Sequence, residues 1–246
     1  GTLRAVRWSQ AAIVFQGALH ALNPVQRIGD QIAEPIRLHQ TVPEKQINAR
    51  VGELLSQVGL PASRAKSYPH QLSGGQRQRV MIAMALACKP ALIIADEPTT
   101  ALDVMVQAQV LDLLTGLVRD ASAGPDGGMG MILISHDLGV LGTTCDRIAV
   151  MYAGQIIESG PALEIFDNPK QPYTRALAAA FPRIGDPAAR YSPTGLPGDP
   201  PFPGDLPTGC SFHPRCPIAV DTCRDSAPAL VHVAPHRTAA CFKVDS

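Results

Sequence analysis

A chain of 246 residues, 46% of them apolar, can bury one sizeable core and still carry an appendage. Lys+Arg and Asp+Glu both total 21, so the net charge is near zero and no basic stripe points to nucleic acid or an anionic membrane surface. No apolar run is long enough to span a bilayer, and residues 1–15 lack the basic start, apolar stretch and cleavage site of a signal peptide. The sequence therefore predicts a cytosolic protein, or one held at a membrane only through a partner.

Taken in chain order, an extended segment is predicted around Ala12-Ile13-Val14-Phe15. Thr41-Val42-Pro43-Glu44 has the capping-box form, with Pro43 near the start of a helix. Ile47, Val51, Leu54, Leu55 and Val58 recur at helical spacing, and Gly59 and Pro61 end the run. Ser73-Gly74-Gly75 opens a second helix that runs to about Cys88. Its middle, Val80 to Leu86, is apolar nearly all round, the mark of a buried helix. Ala91 to Ala95 is too short and uniform for a surface helix and reads as a strand buried on both faces. A helix from about Asp103 to Arg119, a loop from Ser122 to Gly128 and a second buried strand from Met129 to Ser135 follow. Ile148 to Tyr152 and Gln155 to Ile157 predict short edge strands around Gly154. Strand, helix, strand with both strands apolar implies an α/β fold with a parallel sheet covered by helices. Residues 182–207 hold eight prolines and four glycines, the composition of an extended linker or wrapping segment. Residues 208–246 are too few to build a core alone and predict a staple.

Ligands of open α/β sheets bind at the carboxyl ends of the strands. Asp96 and Glu97 end the first buried strand and His136 ends the second. An acidic pair there suits a magnesium–nucleotide site: one carboxylate supports the metal and the next orients or deprotonates a water. Taken alone, the better reading is that Asp96 and Glu97 cap the next helix and that His136 is structural. Ser73-Gly74-Gly75 at a helix start makes an anion site through free N–H groups, although the same residues are ordinary turn material.

In combination these segments are more specific. Leu72-Ser73-Gly74-Gly75-Gln76-Arg77-Gln78-Arg79 resembles the signature motif of ABC ATPases. Asp96-Glu97-Pro98 resembles their Walker B end, Ala101-Leu102-Asp103 their D-loop, Ser135-His136-Asp137 their switch-histidine loop and Phe15-Gln16 their Q-loop. Five motifs in the family's order and at plausible spacing leave chance agreement negligible. The resemblance implies an ABC-type P-loop ATPase core over residues 1–160, with a parallel sheet, helices and a helical signature subdomain at about 22–88. A Pro-rich, Cys-containing extension over 161–246 completes the expected organisation. It also implies roles. Asp96 supports magnesium, Glu97 acts on the hydrolytic water, His136 contacts the γ-phosphate, and Gln16 senses metal and γ-phosphate. Ser73, Gly75 and Gln76 touch ATP bound on the opposite subunit of a head-to-tail dimer, and Leu72, Gly74 and Asp103 complete the cofactor-binding set.

Further segments resemble the oligopeptide and dipeptide import group, which nickel importers share: Leu22-Asn23-Pro24, Asp96-Glu97-Pro98-Thr99-Thr100-Ala101-Leu102-Asp103-Val104, His136-Asp137-Leu138-Gly139-Val140, Met151-Tyr152-Ala153-Gly154, Gln171-Pro172-Tyr173-Thr174-Arg175-Ala176-Leu177 and Gly209-Cys210-Ser211-Phe212-His213-Pro214-Arg215-Cys216-Pro217. The expected protein is then the ATP-hydrolysing, energy-coupling subunit of an importer. It works with a second ATPase subunit, two transmembrane permeases and, indirectly, an extracytoplasmic substrate-binding protein, at the cytoplasmic face of the plasma membrane. A non-hydrolysing partner that lends its signature motif is the alternative; a soluble ATPase acting on nucleic acid fits the neutral charge poorly.

The tail cysteines are spaced Cys-x5-Cys-x6-Cys-x17-Cys, a poor zinc ribbon. Members of the peptide-transporter branch have a similar tail and carry a [4Fe-4S] cluster, so the resemblance implies one on Cys210, Cys216, Cys223 and Cys241; zinc and free thiols are the rivals. Cys88 and Cys145 read as small core residues. Two departures stand out. Gly17-Ala18-Leu19-His20 differs from the Asp-Pro start expected after the Q-loop glutamine. The pattern Gly-x-x-x-x-Gly-Lys-Ser/Thr matches nowhere in the 246 residues, which predicts a chain truncated at its front and, alone, inactive toward ATP.

Overall fold

The computed structural model describes residues 2–17, 21–122, 128–180, 196 and 198–244. Ala18, Leu19 and His20, residues 123–127 of the expected loop, and most of the first half of the Pro-rich stretch lie outside the described residues. The chain divides into two compact units, Gly1–His136 and Asp137–Ser246. Among the described residues no helix is long and apolar enough to cross a membrane.

The first unit runs α1 (Thr2–Val6), β1 (Ala11–Val14), α2 (Ile28–His39), α3 (Glu44–Gln57), α4 (Gly74–Ala85), β2 (Leu92–Asp96), α5 (Val104–Ser122) and β3 (Gly130–Ile134). The strands form a parallel sheet in the order β1-β2-β3, with Val14 opposite Ala95 and Ala95 opposite Leu133. All three therefore end on the same edge, and the residues just beyond Val14, Asp96 and Ile134 are brought together there. Burial alternates along the strands. Ala12, Val14, Ile93 and Ala95 are buried, whereas Ile13, Ile132 and Ile134 are 40%, 50% and 46% exposed. Of the two strands expected to be buried on both faces, β2 is covered on one, through Ile93 and Ala95, and β3 is only half-covered on one, through Met131 and Leu133.

Helix α2 is the element that composition conceals, because Pro35 sits inside it and no side chain caps its start. An interior proline costs about 3 kcal/mol. Ile28, Ile32 and Ile36 are each at most 1% exposed, and burying each contributes about 1.5–3 kcal/mol, so packing outweighs the lost hydrogen bond. Helix α3 starts where expected and buries Ile47, Val51, Leu54 and Leu55, but the capping box at Thr41 does not form. Pro43 is the N-cap and offers no side-chain acceptor, while the Glu44 carboxylate pairs with Arg37. A capping box does form at α4: Gln76 N–H donates to Ser73 Oγ at 3.3 Å, and Ser73 N–H donates to Gln76 Oε1 at 3.2 Å.

The second unit contains α6 (Leu138–Thr144), β4 (Arg147–Tyr152), β5 (Gln155–Pro161), α7 (Ala162–Asp167), α8 (Pro172–Ala180), β6 (Val231–Ala234) and β7 (Arg237–Ala239). The expected hairpin is β4–β5, turned by Ala153 and Gly154, both at positive φ as a two-residue hairpin turn requires. Tail strands β6 and β7 extend it into an antiparallel sheet in the order β4-β5-β7-β6. Phe212, 2% exposed, packs its ring 5.3 Å from Tyr152 and 5.4 Å from Tyr173. Glu158 on β5 and Arg237 on β7, both almost fully buried, pair at 2.8 Å.

The tail is therefore anchored by strand pairing, an aromatic plug and an ion pair, and the [4Fe-4S] cluster expected on Cys210, Cys216, Cys223 and Cys241 is corrected. Among the described residues no three His, Cys, Asp or Glu side chains are placed to hold a metal ion. The four cysteines are free and line a void of about 20 Å³, room for about one water. Burial pushes the Cys210 and Cys216 thiols up.

Candidate functional site

At the carboxyl edge of the parallel sheet, each strand contributes one side chain to a common cluster. Gln16 lies just past β1, Glu97 directly after β2, and His136 just past β3. The Glu97 N–H donates to Ile134 C=O at 3.0 Å, which ties the end of β2 to β3. Glu97 itself is in the left-handed region, at φ 41°, unusual for a residue with a Cβ and sustained only where the surroundings fix it.

Three donors converge on its carboxylate. Gln16 Nε2 donates to Oε2 at 2.6 Å, Thr100 Oγ1 donates to the same oxygen at 2.9 Å, and His136 Nδ1 lies 3.2 Å from Oε1. The Thr100 hydroxyl first, and then His136, hold the Glu97 carboxyl below its usual range, against a small opposing effect of burial. The group is thus ionised at neutral pH, as an acceptor of a water proton must be. Thr100 falls in the Asp96–Val104 segment of the resemblance, but the sequence reading gives it no role at the site. Its signal is a hydroxyl three residues after an acid in a turn with proline, closed here by Thr100 N–H on Glu97 C=O at 3.2 Å.

Asp96 is the last residue of β2 and stays partly accessible. One accessible carboxylate fits magnesium, which usually takes one or two protein carboxylates and keeps several waters.

The signature residues form a second group. Leu72 is buried, and Ser73 and Gln76 close the start of α4 as described. A Cβ on Gly74 would meet Leu102 at 3.6 Å, and one on Gly75 would meet Val106 at 2.5 Å. The glycines thus seat α4 against the Leu102–Val106 segment. Asp103 Oδ1 accepts the Val106 N–H at 3.0 Å and caps α5. Sequence motifs 72–76 and 101–103 are thereby physical neighbours, and Gln16, Glu97 and His136 are joined by hydrogen bonds.

The family model for "ABC transporter" matches residues 5–100, and the model for "Oligopeptide/dipeptide transporter, C-terminal region" matches residues 157–223. A putative peptide import ATP-binding protein of Brucella ovis is 46% identical over 248 residues, covering 98% of this chain and 71% of the relative. The dipeptide transport ATP-binding protein DppD of Escherichia coli is 46% identical over 235 residues, covering 95% of this chain and 69% of DppD. Among solved structures, a dimeric ATP-binding cassette in a post-hydrolysis state bound to ADP and Pi matches with TM-score 0.55 and 28% identity, covering 65% of this chain and 66% of that one. The cbiO1 subunit of a Clostridium perfringens ABC transporter matches with TM-score 0.56 and 29% identity, covering 65% and 60%.

These matches correct one expectation. Inactivity of the chain was expected because no Gly-x-x-x-x-Gly-Lys-Ser/Thr pattern occurs in it. The ABC transporter model nevertheless runs through residues 5–100, and the relatives are longer than the stretch matched, so loss of ATPase function does not follow. The chain belongs to the ABC transporter family of ATP-binding proteins, in the branch that carries the oligopeptide/dipeptide transporter C-terminal region.

Proposed function

We propose that this protein is the energy-coupling ATPase of an importer for dipeptides or oligopeptides. The observation that carries the proposal is the Glu97 cluster: an ionised carboxylate at the carboxyl edge of the sheet, contacted by one residue from beyond each neighbouring strand. The peptide assignment rests on relatives named for peptide and dipeptide import.

In this reading Glu97 accepts the proton of the attacking water, and His136 and Gln16 exchange their contacts with Glu97 for contacts with the γ-phosphate. Asp96, with Gln16, would hold magnesium, which would supply charge neutralisation on the phosphates. Ser73, Gly74, Gly75 and Gln76 present the start of α4 to ATP bound on a second ATPase subunit, where unpaired helix N–H groups favour an anion. Leu72 and Asp103 hold that surface from behind. ATP then favours the closed pair of subunits, and hydrolysis removes the preference. The work is delivered to two permease subunits at the cytoplasmic face of the membrane, and a separate binding protein supplies the substrate. Residues 161–246 serve as the extension that distinguishes this branch.

The test is ATP-dependent uptake of a labelled dipeptide and a labelled oligopeptide by membrane vesicles containing the assembled transporter, with nickel as the competing cargo. Uptake of a peptide that stops in the Glu97→Gln variant supports the reading. Uptake of nickel alone, or peptide uptake unaffected by the substitution, contradicts it.

A further inference from the structure

We propose that Thr100 is the positioning residue for the Glu97 carboxylate, holding it in the orientation needed for hydrolysis through the bond from its hydroxyl. This rests on the reading of Glu97 as the base.

The three groups on the carboxylate differ in where they are anchored. Gln16 and His136 belong to segments that follow β1 and β3, and both have a second task at the nucleotide in the reading above. Thr100 belongs to the same turn as Glu97: its N–H donates to Glu97 C=O at 3.2 Å while its Oγ1 donates to Glu97 Oε2 at 2.9 Å. Backbone and side chain are thus both tied within four residues, and the pair moves as one body. When Gln16 and His136 turn to phosphate, Thr100 is the donor that stays.

The backbone makes such a restraint necessary. Glu97 sits at φ 41° and Ala101 at φ 64°, so the turn is held in a conformation that L-residues adopt reluctantly. The glutamate side chain that leaves it has three rotatable bonds and is about a quarter exposed. Without a fixed donor it would sample orientations that point away from the water. A base displaced by about 1 Å can lose about a hundredfold in rate. A hydrogen bond from a hydroxyl to an ionised carboxylate is charge-assisted, so a loss of about tenfold or more is the expectation for removing it.

The experiment compares Thr100→Val, Thr100→Ser and Glu97→Gln in the assembled transporter, measuring kcat and KM for ATP separately. Thr100→Val keeps the shape and removes the donor; kcat should fall about tenfold with KM changed by less than about threefold. Thr100→Ser restores the hydroxyl and should recover most of that loss. If Thr100→Val fails to assemble, Thr100→Ala is read in the same way. The inference is overturned if Thr100→Val turns over like the wild type, or if Thr100→Ser is as slow as Thr100→Val, which would show that a hydroxyl at this position does not restore turnover. If Glu97→Gln hydrolyses ATP at the wild-type rate, the base assignment falls and this inference falls with it. If Glu97→Gln is inactive and Thr100→Val is normal, only the role of Thr100 is refuted.

Discussion

Gly75 lies so close to Val106 that a Cβ in its place would stand 2.5 Å from Val106 Cγ1. Valine is stiff at χ1 on a helix, so Gly75→Ala must push α4 and α5 apart. Overpacking of this kind costs about 1–3 kcal/mol, and the melting temperature should fall accordingly. Val106→Ala in the same chain should restore it. A double variant as unstable as Gly75→Ala alone would show that backbone freedom, and not this contact, requires the glycine.

The buried pair between Glu158 and Arg237 fastens the tail strand β7 to β5. Glu158 also accepts the N–H groups of Lys170 and Gln171 at 2.8 and 3.0 Å, and Arg237 donates to Asn168 C=O. Arg237→Met leaves a carboxylate buried without its cation, at a cost of about 3–5 kcal/mol. Chemical denaturation followed by circular dichroism should show that loss. Replacing both partners, Glu158→Leu with Arg237→Met, should recover part of it; no recovery would mean that the backbone donors on Glu158 matter more than the arginine.

Phe212 replaces the staple that the length of the tail predicted. Its ring closes a triangle with Tyr152 and Tyr173, themselves 4.7 Å apart. Phe212→Ala should cost about 3–5 kcal/mol and speed proteolysis of residues 208–244 before the rest of the chain. Equal protection of the tail in both proteins would refute an aromatic anchor.

What the sequence conveyed and what it hid follow from the range of the forces involved. Strands β2 and β3, helices α3 and α4, and the β4–β5 hairpin rest on local periodicity and turn chemistry, and those are written in consecutive residues. Gln16, Glu97 and His136 were identifiable as a set only because motif order supplied what spacing cannot; Gln16 and His136 lie 81 and 39 residues from Glu97. Helix α2 was hidden because Pro35 argues against a helix locally, and the three buried isoleucines that prevail act through tertiary packing. The capping box at Thr41 fails for a complementary reason: the pattern is present, but Pro43 takes the N-cap position and Arg37 captures Glu44. Strand β7 depends on pairing with β5, about 80 residues away, and β6 on pairing with β7, so local sequence shows neither, and the four clustered cysteines stand as the visible explanation of an ordered tail.

Ser73 has a structural task at the start of α4 and, in the proposed dimer, a chemical one on the opposite subunit. Ser73→Ala should lower stability by about 1 kcal/mol, the usual cost of losing an N-cap. In a mixed dimer it should suppress hydrolysis at the partner's nucleotide while the nucleotide on its own subunit still turns over. Loss at its own site instead would place the signature residues wrongly.

The account turns on Glu97 as the group that receives the water proton. The direct measurement is ATP retention and phosphate release by the Glu97→Gln transporter, assayed together on the same sample. Retained ATP with phosphate release reduced by at least about a hundredfold is the predicted result. Phosphate release at the wild-type rate would contradict the account.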